Sequence, residues 1–418
     1  MTAPSQPATG QILDLEVGAV AAGGACVARA PDGRVIFVRH SLPGERVRAV
    51  VTSVTASFLR ADAVEVREAS PDRVESPCRY ARPGRCGGCD WQHVSLPAQR
   101  RLKSALVAEQ LHRLAGIERP VELEEVPGAP DGLGWRTRVQ FAVAPSGRAG
   151  LRRHRSHELE PVESCLIASA DVEAVGVEAL RWPGASGLEV VAAGTQRLVS
   201  VASKAGKGRA RVPAVDAGVV VDGRPGRGPH GVRHTVLGRS FEVAAGGFWQ
   251  VHPGAATVLA QAVLDGLDPQ SGERALDLYA GVGLFAALLG ERVEPTGAVL
   301  AVEQDARACA DAARNTADQP HVRIRTAAVD ATVLDQSGRP DLVVLDPPRA
   351  GAGLTVTHAL AGMRPRRLAY VACDPASFAR DLRVLIDVGW GLPSLRAFDL
   401  FPMTEHVELV AVLTPPRC

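Results

Sequence analysis

The chain has 418 residues, 46% of them apolar, and its 47 Lys and Arg against 46 Asp and Glu leave a formal charge of +1. That length suggests two or three domains with real cores, and no apolar run is long enough to span a membrane as a helix. A balance so close to neutral excludes any argument for nucleic-acid binding from whole-chain charge, so such an argument must rest on local clusters.

The opening MTAPSQPATG has neither the charged start nor the apolar stretch of a signal peptide, and reads as a short disordered lead into a cytoplasmic protein. The eight cysteines are then expected as reduced thiols rather than four disulfides. From about Gln11 to Val66, short segments of alternating apolar and polar residues (ILDLEV, RVIFVR, RVRAVVTSV, LRADAVEV) are separated by Gly, Pro and Asp. This pattern predicts a small all-β barrel. Its arginines, Arg29, Arg34, Arg39, Arg46, Arg48 and Arg60, outnumber its acids, which points either to RNA contact or to a solvated surface.

Residues 69–245 form a second block. Cys78, Cys86 and Cys89 occur as C-x7-C-G-G-C, and Cys165 follows in VESCLI. Three close thiols with a distant fourth suit a tetrahedral metal or an iron-sulfur cluster, and the spacing does not separate zinc from iron. LPAQRRLKSALVAEQLHRLAG has leucines and alanines at helical spacing, with Gly116 as its cap. WRTRVQFAV and GRAGLRRHRSHELEPV read as a hairpin leading to Cys165. Between Ala202 and Arg239 the chain reads as loop-like and basic, with Lys204, Lys207, Arg209, Arg211, Arg224, Arg227, Arg233 and Arg239 facing only Asp216 and Asp222. Such loops track phosphates or are merely solvated.

Residues 246–418 predict a doubly wound α/β domain. RALDLYAGVGLF is a strand running into Gly281 and Gly283, and AVLAVE ends in Glu303 about twenty residues on, where a carboxylate can take both ribose hydroxyls of a bound nucleoside. NAD enzymes share that layout. Asp341 to Gly351 (DLVVLDPPRAG) reads as a buried strand ending in an acid and a stiff Pro-Pro turn. LAYVAC delivers Cys373 to the rim of the sheet, where a thiolate could add to an electron-poor double bond. FPMTEHVELV places Glu408 at the start of an apolar segment.

In order, DPPRAG, C-D-P-x-S-x-A-R-D-L and FP-x-T-x-HVE resemble the motifs of the RNA uracil-5-methyltransferase family. The resemblance covers nearly the whole chain. It implies a Rossmann-like class I methyltransferase domain (246–418), preceded by an α+β central domain (69–245) and a TRAM-like β-barrel (1–68). It implies S-adenosylmethionine-dependent methylation of uridine carbon 5, with Cys373 as nucleophile, Glu408 as the base that removes the carbon-5 proton, and Asp346 holding the uracil edge. Cofactor contacts carried over are Gln250, Tyr279, Gly281, Glu303, Asp330 and Asp346. A [4Fe-4S] cluster is carried over to Cys78, Cys86, Cys89 and Cys165. The implied partner is RNA with an accessible or flipped uridine, ribosomal rather than transfer RNA, with no membrane and no obligate protein partner. Three departures stand out: His252 replaces an Asn, Leu284 a polar contact, and Asp374 the Asn that usually follows the cysteine. A charge at Asp374 would raise the thiol pKa unless it points away or pairs with Arg349 or Arg380. The competing readings are an iron-sulfur, dinucleotide-dependent oxidoreductase and a non-catalytic RNA-binding scaffold.

Overall fold

The computed structural model describes residues 7–206 and 208–416. Strands Ile12–Glu16, Cys26–Arg29, Val35–Arg39, Arg46–Val54 and Phe58–Glu68 form one sheet in the order first, fourth, fifth, third, second. Alternation along the strands puts Leu13, Leu15, Val47, Ala49 and Val51 inside. The first and second strands end as the two edges of the sheet, so the expected barrel is a half-barrel. Its open side is filled by Trp91, Val94 and Ala98, and the Trp91 indole N–H donates to the Gly24 carbonyl at 2.9 Å. Four of the six arginines read from the sequence are already paired: Arg34 with Asp32, Arg39 with Asp62 and Asp90, Arg46 with Glu68, Arg48 with Glu65. Arg60 lies over the rings of Phe37 and Phe58.

A seven-stranded sheet follows, in the order Arg224–Pro225, Gly218–Val221, Gln196–Ser203, Ala185–Ala193, Arg138–Val143, Ala149–Arg152, Leu159–Glu160. The stretch expected to be loop-like between Ala202 and Arg239 therefore holds strands, including the hairpin arm Gly231–Val236. The apolar run Gly218–Val221 explains the difference: it is buried throughout and pairs in parallel with Leu198–Val201, which satisfies its backbone. Two basic residues of that stretch are tied down, Arg227 donating to the Val215 carbonyl. Arg239 binds Glu291, Asp318 and the Asn315 carbonyl, while Lys207 lies outside the described residues.

The predicted helix spans Leu96–Gln110 and runs into a π-helical turn, Leu111–Ala115. Gly116 ends it at φ +70°, its N–H donating to the His112 carbonyl, as the sequence suggested. This helix packs not on the middle sheet but on the C-terminal one, where Val107, Leu111 and Ala115 share a core with Leu382 and Leu385. The short strand Leu123–Glu125 likewise pairs in parallel with Gly391–Asp399.

The C-terminal sheet has eight strands: Val322–Thr326, Ala298–Glu303, Arg274–Leu278, Leu342–Leu345, Arg367–Ala372, Glu408–Thr414, Gly391–Asp399 and Leu123–Glu125. Its first five strands are mutually parallel, and Glu408–Thr414 runs antiparallel to both neighbours. Buried runs such as LVVL (342–345) fit a sheet covered on both faces. The strand order reverses at Arg274–Leu278, which opens a crevice at the carboxyl ends of the strands, where such folds hold their ligands. Among the described residues, no helix is long and apolar enough to cross a membrane.

Candidate active site

Two groups of side chains gather at that edge. The first lies around the turn after Arg274–Leu278. Tyr279 at φ +62°, Gly281 at φ +54° and Gly283 at φ +85° turn the chain sharply into the helix Leu284–Val293. A Cβ on Gly283 would stand 3.1 Å from that of Ala312, so helix packing requires a glycine there. A Cβ on Gly281 would meet nothing, leaving space for a ligand beside the backbone. Glu303, at the end of the next strand, accepts from the Gly281 N–H at 2.9 Å and the Asp305 N–H at 2.8 Å. These bonds occupy only part of the carboxylate's acceptor capacity, so two hydroxyls can still be received. Asp330, carried over as an adenine neighbour, is the N-cap of Ala331–Gln336, accepting from Val333 N–H at 2.8 Å.

The second group surrounds the thiol. Cys373 follows the strand Arg367–Ala372, and Glu408 opens the antiparallel neighbour, with Ala372 opposite Leu409. The register thus sets Cys373 and Glu408 side by side. Burial pushes the Cys373 thiol up to about 12, with Glu408 and Asp346 adding to the rise and Arg349 opposing it. Burial also raises Glu408 well above the usual carboxylate range, the Asp346 charge reinforcing this and Arg349 counteracting it. Asp346 is raised by burial as well. The helix after it starts at Leu354 with Gly353 as N-cap, so Asp346 is not that helix's cap. Thiol, two acids and a guanidinium therefore act on one another at one strand edge.

Asp374 is held by its own helix. Its carboxylate caps the helix Pro375–Asp387, accepting from the Ser377 N–H at 2.7 Å. The usual Asn could make the same bond, so the departure leaves the turn intact. Beyond Cys373 lies a cavity of about 110 Å³ bounded by Gly23 of the half-barrel, Lys103, Arg349, Cys373 and Glu405.

The F-x-Q-x-H segment splits by alternation. Trp249 is buried, stacked on His234 at 4.6 Å, and the Val251 carbonyl receives Thr137 N–H and Oγ1–H, both at 2.8 Å. Gln250 is half-buried, whereas Phe248 is 68% exposed. His252 stacks on Trp135, and its Nδ1 receives the Gly254 N–H at 3.1 Å. His252 thus makes a turn contact through its ring. Burial lowers its pKa to about 4, so the ring is neutral.

Sequence reasoning missed Asp277. It is fully buried, its Oδ2 accepting from the Ala286 N–H at 2.8 Å and its Oδ1 lacking a partner among the described residues. Burial raises it well above the carboxylate range, with Asp346 and Glu303 adding to the effect. Asp277 therefore lies electrostatically between the two groups. Its place in LDLYAGVG, four residues before the first turn glycine, was the available signal.

Cys78, Cys86, Cys89 and Cys165 all line one cavity of about 30 Å³. Gly88 N–H donates to Cys86 Sγ at 3.4 Å and Gln92 Nε2–H to Cys89 Sγ at 3.2 Å, the kind of donors that support thiolate ligands. Burial raises Cys86, Cys89 and Cys165, so without a metal they are neutral thiols. Among the described residues, no three His, Cys, Asp or Glu side chains stand as a formed metal-ligand group. The donor set fits a metal-thiolate centre.

A TRAM domain model matches residues 8–64 and a methyltransferase small domain model matches residues 254–368. The chain is 50% identical over 433 residues to a Streptomyces avermitilis protein named an RNA methyltransferase, covering 97% of this chain and 99% of that one. A Bifidobacterium longum protein of the same name is 37% identical, with 94% of each chain covered. Among solved structures, the Pyrococcus abyssi tRNA (uracil-54, C5)-methyltransferase with S-adenosyl-L-homocysteine superposes with a TM-score of 0.72 at 24% identity, covering 96% of this chain and 99% of that one. The likeness establishes a shared fold, and the relatives establish more: this chain belongs to their family, the RNA methyltransferases.

Proposed function

We propose that the enzyme methylates carbon 5 of a uridine in RNA, with Cys373 as covalent catalyst. The meeting of Cys373, Glu408, Asp346 and Arg349 at one strand edge carries this reading. Carbon 5 of uracil is too weak a nucleophile to attack a methyl sulfonium unaided. Addition of the Cys373 thiolate to carbon 6 places the electron pair on the enolate, with carbanion character at carbon 5. Bound S-adenosylmethionine supplies an electrophilic methyl group. Glu408 then takes the carbon-5 proton, carbon 5–carbon 6 becomes a double bond again, and the thiolate leaves. Asp346 holds the uracil edge, and the exposed ring of Phe248 offers a stacking surface for an unstacked base. The uridine must be single-stranded or flipped for the thiol to reach carbon 6. Membership in the methyltransferase family argues against the dinucleotide oxidoreductase.

For the RNA itself, a groove of about 770 Å³ runs over the middle sheet, lined by Arg136, Arg152, Arg153, Arg155 and Arg307. These arginines, together with the basic residues between Ala202 and Arg239, supply cations to follow phosphates. We carry forward ribosomal RNA as the substrate class and the cytoplasm as its location. The half-barrel does not decide between RNAs, because a protein titled a tRNA methyltransferase shares the fold over 96% of this chain. Mapping 5-methyluridine in both RNAs from a deletion strain and its parent tests the proposal, and an unchanged 5-methyluridine content in both would refute it.

The residues around Gly281 and Glu303 are assigned to the methyl donor. Glu303→Ala is expected to weaken S-adenosylmethionine binding by about 1.5–3 kcal/mol, the worth of hydrogen bonds to a charged group. Calorimetric titration checks this, and an unchanged affinity would leave Glu303 as a support for Gly281 alone.

We assign the four gathered thiols to a [4Fe-4S] cluster. Anaerobically purified protein should be brown and contain iron and sulfide, whereas Cys86→Ser and Cys89→Ser should lose both and weaken the middle block. Colourless, folded protein with stoichiometric zinc would assign the site to zinc.

A further inference from the structure

The cysteine motif carries Asp381 eight residues beyond the thiol, on the second turn of its helix, and the chemistry above gives that residue nothing to do. Asp381 is 3% exposed. Its Oδ2 accepts from the Tyr370 hydroxyl at 2.6 Å, the Ala352 N–H at 2.7 Å and the Gly353 N–H at 3.3 Å. The Tyr370 oxygen itself stands 3.1 Å from the Ala352 nitrogen. Glycine is required where the loop meets this carboxylate, because a Cβ on Gly351, at φ +84°, would lie 2.6 Å from Asp381 Oδ2. Burial, with Asp381 beside it, raises the Tyr370 pKa, so the phenol stays protonated and donates.

Tyr370 lies on the strand that ends just before Cys373, and Asp381 on the helix that begins just after it. Both hold one end of the loop 347–353, whose other end carries Asp346 and Arg349. Those two residues act on the thiol with opposite sign.

We propose that Asp381 and Tyr370 form a clamp that fixes the Pro-Pro-Arg loop and thereby sets Arg349 and Asp346 against the thiol. Both are positioning residues, and the inference rests on the reading of Cys373 as nucleophile. Arg349 is exposed, so only the loop's course keeps it by the thiol, and a free loop would let it move off, leaving Cys373 facing Glu408 and Asp346. The remaining titratable groups around its cavity are Asp374, Glu405, His406 and Lys103.

The test is the pH dependence of Cys373 alkylation by iodoacetamide, followed on the peptide that contains it in the full-length protein. Asp381→Asn keeps the shape but weakens the acceptor, and Tyr370→Phe removes a single donor with little risk to folding. Asp381→Asn is expected to move the alkylation midpoint upward by about one pH unit. It should also cut kcat by roughly 10- to 100-fold, with S-adenosylmethionine affinity within about twofold because Glu303 and Gly281 lie outside the clamp. Tyr370→Phe should shift the midpoint the same way by less. Arg349→Ala should reproduce the Asp381→Asn shift, and the double variant should add nothing to it. If Arg349→Ala shifts the midpoint while neither clamp variant does, the clamp is overturned. If Cys373→Ala retains turnover, the nucleophile reading fails instead, whatever the alkylation shows.

Discussion

Cys373→Ala is expected to bind RNA and S-adenosylmethionine and to transfer no methyl group, a loss of roughly 10³-fold or more in rate. Without addition at carbon 6 no carbanion forms, and nothing else in the site can replace that step. Glu408→Gln should fail differently. Addition and methyl transfer can proceed, but the carbon-5 proton has no acceptor, so the enzyme should accumulate as a covalent adduct with methylated RNA. On a denaturing gel with labelled methyl donor, the Glu408 variant should show a shifted, labelled band and the Cys373 variant none. Turnover by Glu408→Gln without a band would transfer the base role to another group, Glu405 being closest in the same loop.

The electrostatics add a direction in pH. With the thiol pushed up to about 12 by burial, Glu408 and Asp346, a neighbouring carboxylate must take its proton as it attacks. With Glu408 kept for the carbon-5 proton, Asp346 is the carboxylate that takes the thiol proton; burial raises Asp346 to about 7, so the fraction able to accept it grows as pH rises through the neutral range. Single-turnover methylation should therefore accelerate with rising pH. A rate that falls over this range would contradict the assignment.

Much of this site could be read from the sequence because strand ends announce themselves. LAYVAC, LVVLD and AVLAVE are apolar runs closed by one polar residue, and in a parallel sheet that residue must emerge at the rim. Cys373, Asp346 and Glu303 were all placed in this way. What escaped notice were polar residues inside apolar patterns. Gln99, Lys103 and Gln110 lie on the same helical stripe as Leu106 and Val107, and all five are buried. A stripe interrupted three times by polar side chains signals a helix buried against polar partners, but the partners of Lys103 and one of those of Gln99 lie about 300 positions away, and no local period reveals them. The run Gly218–Val221 failed for a related reason: amid Gly, Arg and Pro it resembled loop, and only its pairing with Leu198–Val201 makes it a strand.

Lys103 carries the largest expected effect on stability. Its side chain is 0% exposed and that of Asp399 is 2% exposed. The ammonium donates to Asp399 Oδ1 at 2.7 Å and to the Phe401 carbonyl at 3.0 Å. One helical turn earlier, Gln99 receives the Met403 N–H at 2.8 Å. The helix Leu96–Gln110 thus holds the segment 399–403, which leads directly to Glu405 and Glu408. Lys103→Met leaves a buried carboxylate without its partner, and the loss should be about 3–5 kcal/mol in urea unfolding. Adding Asp399→Leu removes the orphaned charge and should recover most of that loss, since a well-packed apolar pair can replace a buried ion pair at little cost. Activity should not recover with it, because the double variant still lacks the bond to Phe401 that orders the path to Glu408. A Lys103→Met loss below about 1 kcal/mol, the range of exposed pairs, would mean that water reaches Asp399. Full activity in the stable double variant would show that the base is held without help from this helix.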